Sequence, residues 1–148
     1  MAARATAYSF KNVVASLDGQ RIVGGWDGDN TFEVAPVEDA GALLMGAGGD
    51  SLYSVFAGNA VVVTLRLMHT SPAHELLLQK LAEIKAESPR MDGFALSIKD
   101  IRSNDGGSAS RCYIQGRPTN GYGKNASVRE WKLIAGDWVD NVTTSAAA

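Results

Sequence analysis

The stretch 51-SLYSVFAGNAVVVTLRLMHTSP-72 decides how the chain is read, because it holds the most apolar strand signal in the sequence. Val61, Val63, Leu65 and Leu67 are large and apolar at every second position, the pattern of one strand face laid on a core. Between them Ala60, Val62, Thr64, Arg66 and Met68 are mixed. They are too apolar for an ordinary solvated face, and at Thr64 and Arg66 too polar for a second core. A face of that kind suits a surface shared with another subunit.

Downstream of this strand the period changes from 2 to 3.6. Thr70 or Ser71 can cap a helix, Pro72 suits its first position, and Glu75 falls in the first turn, where the helix dipole favours a carboxylate. Leu77, Leu81 and Ile84 recur at helical spacing with Leu78 beside them, and Gln79, Lys80, Glu83 and Glu87 lie opposite. One amphipathic helix ending before Pro89 is expected.

The rest of the chain reads as short strands joined by turns. Asp18-Gly19 supplies the positive φ angles of a tight turn and closes a hairpin within 8-YSFKNVVASLDGQRIVGGW-26. In 30-NTFEVAPVE-38, Phe32 and Val34 alternate with Thr31, Glu33 and Ala35, and Pro36 should end the ladder or lie at an edge. The glycine-rich 39-DAGALLMGAGGDS-51 carries Leu43, Leu44 and Met45 and is expected to be a loop with an assembly role. Three strands follow the helix, centred on Leu96, Cys112 and Trp131, the first two joined by 103-SNDGGS-108. The total is about seven antiparallel strands in a sandwich or barrel with one flanking helix, a single domain over 1–142, and a flexible tail over 143–148.

At 148 residues the chain is long enough to bury about 68–70% of its unfolded surface in one core. Its net charge of −2 does not recommend phosphate-backbone binding as a primary role. The charge is unevenly spread: three basic and seven acidic residues up to Ala60 leave −4 there and +2 in the remainder, a polarity that lets unlike surfaces of neighbouring copies meet. One cysteine, Cys112, excludes an intrachain disulfide framework, and its place beside Ile114 on an apolar face reads as packing. No apolar run approaches 18 residues and the N-terminus lacks an apolar signal region, so neither membrane insertion nor export by a signal peptide is expected.

Motifs for chemistry are weak. His69 and His74 have no cysteine or carboxylate at metal-ligand spacing. Asp27, Asp29 and Glu38 imitate a calcium loop, but Phe32 stands where the sharp turn needs glycine. The glycines from Gly46 lack the Lys-Ser/Thr of a phosphate loop. No cofactor and no catalytic constellation is expected, and a structural role leads.

The order of these features resembles the tail tube proteins of tailed bacteriophages. The likeness runs from YSFKNV at Tyr8, through PVED at Pro36 and the Ala57-Gly58 turn, to VTLRLMHTSP ending at Pro72 and REWKL in the last strand. The resemblance implies hexameric rings whose strands form a continuous inner β-barrel, stacked into a tube that surrounds a tape-measure protein and later passes DNA. It implies a place in the virion tail, assembled in the cytoplasm of a host bacterium. Thr31, Glu33, Val62, Thr64 and Arg66 become candidate channel-lining residues, and Leu43, Leu44 and Met45 candidates for ring stacking. Lys80, Glu83 and Glu87 on the outer helix face are candidates for contact with a tail sheath protein. A transit channel must not grip a polyanion, so Arg66 is expected to be offset by Glu33 on the adjacent strand. The inner tube of a tailocin or contractile secretion system is an alternative within the same fold. A monomeric ligand-binding barrel or hydrolase is the alternative of another class.

Overall fold

The computed structural model describes residues 3, 7–22, 24, 26, 31–88 and 91–141. The tail over 143–148, Asp27 and Asp29 lie outside the described residues. In chain order the elements are β1 (Val13–Leu17), β2 (Gln20–Arg21), β3 (Phe32–Pro36), β4 (Gly41–Met45), β5 (Ser51–Val55), β6 (Val61–Leu67), α1 (Ala73–Ile84), β7 (Phe94–Asp100), β8 (Gly106–Gly116), β9 (Arg129–Ala135) and β10 (Val139–Asp140). The architecture is mainly β and antiparallel with one helix, as expected. Its strands number ten among the described residues rather than about seven. The opening stretch divides into β5 and β6, the supposed glycine-rich loop contributes β4, and β2 and β10 are two-residue pieces.

Eight strands form one sheet in the order β2-β1-β7-β8-β9-β6-β3, with β10 added to β8. Its central pairings join distant parts of the sequence: Leu17 lies opposite Leu96, and β6 runs against β9 from Val61↔Ala135 to Leu67↔Arg129. The sheet curls. Phe10, just ahead of β1, stacks on Phe32 of β3 with ring centroids 5.7 Å apart, and Trp26 meets the same ring edge-on at 4.4 Å. The two ends of the strand order therefore approach one another as an open barrel. Asp18 and Gly19, at φ of 54° and 78°, make the β1–β2 turn. Gly106, at φ 132°, opens β8 where any side chain would collide with the carbonyl oxygen of Ile98.

The core lies between the inner sheet face and α1. Val61, Val63, Leu65 and Leu67 are all buried, and Leu17, Phe94, Leu96, Trp131, Leu133 and Leu77 complete the centre. Cys112 belongs to this core, where burial first and the charge of Asp137 second push its thiol up to about 12. Trp131 donates its indole N–H to Nδ1 of His74 at 3.1 Å. Because an indole can only donate, Nδ1 accepts and Nε2 carries the proton shared with the Met68 carbonyl 2.9 Å away. His74 thus ties the start of the helix to the core.

The helix departs from its sequence reading at three points. Pro72 precedes the first helical residue instead of occupying that position, although the Ser71 hydroxyl caps as expected, accepting the Ala73 N–H and donating to the Gly24 carbonyl. The helix ends at Ile84, so Glu87 lies beyond it. Lys80 is not on the outer face. It stands three residues after Leu77 and seven after Ala73, on the buried stripe, with its side chain 9% exposed. Its ammonium donates to Asp18 at 2.8 Å, approaches Glu83 at 3.4 Å and lies 5.6 Å from the centre of the Phe94 ring. Hydrogen bonding to Asp18 raises the Lys80 pKa against the opposing effect of burial. Leu78 takes the exposed position instead.

Candidate functional site

Two surfaces to which the decisive stretch contributes stand out: the outer face of β6 and the arm that precedes it. On β6 the side chains of Val62, Thr64 and Arg66 turn away from the core and stay half-buried. Register places Ala35 of β3 and Ile134 of β9 beside Val62, and Glu33 and Lys132 beside Thr64. Arg66 lies opposite Glu130. The face thus grades from apolar at the Val62 row to charged at the Arg66 row.

Arg66 is held from both sides. Its Nη2 is 3.0 Å from Glu33 Oε2 and its Nε donates to Glu130 Oε1 at 2.9 Å. The expected pairing with Glu33 is present, and Glu130 is a second partner that the sequence reading did not assign. The Glu33 hydrogen bond, then that of Glu130, raises the Arg66 pKa. With Lys132, the four charges of this face cancel. Thr31 does not join it. The residue sits just ahead of β3, is buried, and accepts the Arg66 backbone N–H on its carbonyl at 3.0 Å. Alternation alone set Thr31 beside Glu33, but the strand begins only at Phe32.

The arm is a separate two-stranded sheet of β4 and β5, with Leu43 opposite Tyr53 and Leu44 opposite Leu52. Gly46 N–H bonds the Asp50 carbonyl at 2.7 Å and closes its tip. Leu43, Leu44, Met45, Leu52, Tyr53, Val55 and Phe56 are all exposed, Leu44 to 68%. Leu43 and Tyr53 share one face of the hairpin while Leu44 and Leu52 share the other, so the arm is apolar on both sides. Tyr53 lies across Gly41, where a larger residue would meet the phenol ring. Glycine richness suggested an irregular loop. The alternation of Leu43 with Leu44 and of Leu52 with Tyr53 carries no polar face, which is the usual strand signal.

The sheath-contact candidates scatter. Lys80 points inward, Glu83 is half-engaged by Lys80 with a 45% exposed side chain, and Glu87 follows the helix. The outward face of α1 is formed by Glu75, Leu78, Gln79, Ala82 and Glu83. Among the described residues no group of three or more metal-ligating side chains comes together, and no helix is long and apolar enough to cross a membrane.

A family model described as bacteriophage PhiTE tail tube protein matches residues 5–142. The fold is similar to the sheath/tube terminator of an extracellular contractile injection system, PVC, in its extended state, with TM-score 0.66, 11% identity and coverage of 95% of this chain and 100% of that one. It is similar also to the tube terminating cap of the anti-feeding prophage, with TM-score 0.64, 10% identity and coverage of 96% and 95%. A chain of the PVC sheath-tube complex in the extended state follows at TM-score 0.60, 11% identity and 92% of each chain. No curated protein matches the sequence.

Proposed function

Because the chain belongs to the bacteriophage PhiTE tail tube protein family, a structural family of the virion tail, we propose that six copies close into a ring and that rings stack through the β4–β5 arm into a hollow tube. The observation that carries this reading is the arm itself. An isolated two-stranded hairpin is marginal in water, and one with exposed leucines on both faces needs a partner surface. Among the described residues β3 has no strand on its far side, and this edge supports lateral closure, since strand addition from a neighbour would satisfy its backbone groups.

In the ring, the face bearing Val62, Thr64, Arg66 and Glu33 lines the channel. Its compensated charges suit a conduit for the tape-measure protein and for DNA, because a row of unpaired cations binds phosphates through counterion release. A sheath, where one is present, meets the outer helix face near Leu78 and Glu83. The fold likeness to injection-system components favours a tube of the contractile type, shared by tailocins, as the second reading.

Leu44→Asp tests stacking. The substitution removes nothing from the core, so the subunit should still fold and unfold in one cooperative transition, while tubes seen by electron microscopy should be lost. Tubes of normal length would refute the arm as the stacking element.

A further inference from the structure

A small pocket of about 190 Å³ lies between the first turns of α1 and the loop leading into β9, lined by His74, Leu78, Arg117, Asn120, Arg129 and Trp131. Its charged groups are two guanidiniums with no carboxylate among them. Arg117 makes no hydrogen bond or ion pair among the described residues. Arg129 leans on Tyr122 and places Nη2 3.3 Å from the His69 ring, yet its Nε is buried without a partner. A buried guanidinium N–H left unpaired is costly unless something fills the place. Two guanidiniums in the lining of one pocket suit a carboxylate. A duplex phosphate backbone needs a longer run of cations than two.

The chain itself supplies carboxylates of that kind. Glu38, Asp39 and Asp50 lie at the base and tip of the arm, are exposed, and bind no side-chain partner among the described residues. Of these Asp50 stands at the tip, beside the turn closed by Gly46. The arm departs from the end of the sheet where Pro36 pairs with Val61, whereas Arg129 pairs with Leu67 at the opposite end of β6. The six residue steps from Val61 to Leu67 separate the two ends by about 20 Å. A subunit therefore carries an arm at one end and a pocket at the other, the arrangement that lets copies join head to tail.

We propose that the Arg117–Arg129 pocket receives the Asp50 carboxylate of a second copy of this chain in the next ring. This rests on the arm-mediated stacking argued above and adds the receiving surface. The test is a charge exchange followed by sedimentation and electron microscopy, with Leu44→Asp run in parallel. Asp50→Arg and Arg117→Asp should each raise the protein concentration needed for tubes by about tenfold or more. The double variant should restore assembly toward the wild-type concentration. Single variants that assemble like wild type, or single defects that the double variant fails to relieve, overturn the pocket assignment. If that happens while Leu44→Asp still blocks stacking, the arm reading stands and only its receiver is wrong. If Leu44→Asp assembles normally, the arm reading itself has failed.

Discussion

Lys80→Ala is the most searching perturbation of the fold, since the residue was expected on the surface and is instead held under the β1–β2 turn. The substitution removes three methylenes from a side chain that is only 9% exposed, worth about 0.8 kcal/mol each. It also removes a charge-assisted hydrogen bond to Asp18, worth about 1.5–3 kcal/mol. Regained side-chain freedom offsets about 1.5–2 kcal/mol. The net loss is about 2–4 kcal/mol, with the lower end expected because Asp18, 26% exposed, can regain water. Lys80→Met retains the apolar stem and should lose about half as much. Asp18→Asn keeps a residue tolerant of φ 54° and isolates the ion pair from the turn. Urea unfolding of each variant in a Leu44→Asp background keeps assembly from contributing to the measured stability. The raised pKa makes the ion-pair contribution complete below the ordinary ammonium value of 10.5 and lost only as pH climbs through the raised one. Stability differences should accordingly be the same at pH 7 and pH 9. A loss below about 0.5 kcal/mol for Lys80→Ala, the range of an ordinary surface change, would refute the buried stripe assignment.

The same stripe ranks the leucines: Leu77→Ala, at a fully buried site, should cost about 2–5 kcal/mol in urea unfolding, and Leu81→Ala, half-buried, distinctly less. Equal losses at the two positions would place the helix in another rotation. Cys112 should resist thiol reagents at pH 8 in the folded subunit, with a pKa near 12 and no exposed surface, and react only at the rate of unfolding. Stoichiometric labelling within minutes under native conditions would contradict its place in the core.

Much of this was legible locally. The odd positions of β6, the Asp18-Gly19 turn and the Glu33–Arg66 pair all follow from period, turn chemistry and charge within single segments or one adjacent strand. What escaped depends on placement across the sheet. Glu130 reaches Arg66 only because β9 lies beside β6 in one particular register, 64 residues away in sequence. The charge of Lys80 points outward in sequence although its helical spacing places it on the inner stripe, and a buried cation becomes tolerable only through a carboxylate from a distant turn. Arm strands escaped for the opposite reason: with neither face laid on this chain's own core, they lack the alternation that marks a half-buried strand.

The position of the arm at one end of β6 gives the subunit a direction. Copies joined through it form a column whose two ends are chemically unlike, one presenting bare apolar hairpins and the other the surfaces that would have received them. Nothing in such a contact closes on itself, so the protein carries no internal measure of how long the column should be. Length must be imposed from outside, and each end calls for a differently shaped stopper: one that covers leucines, and one that offers them.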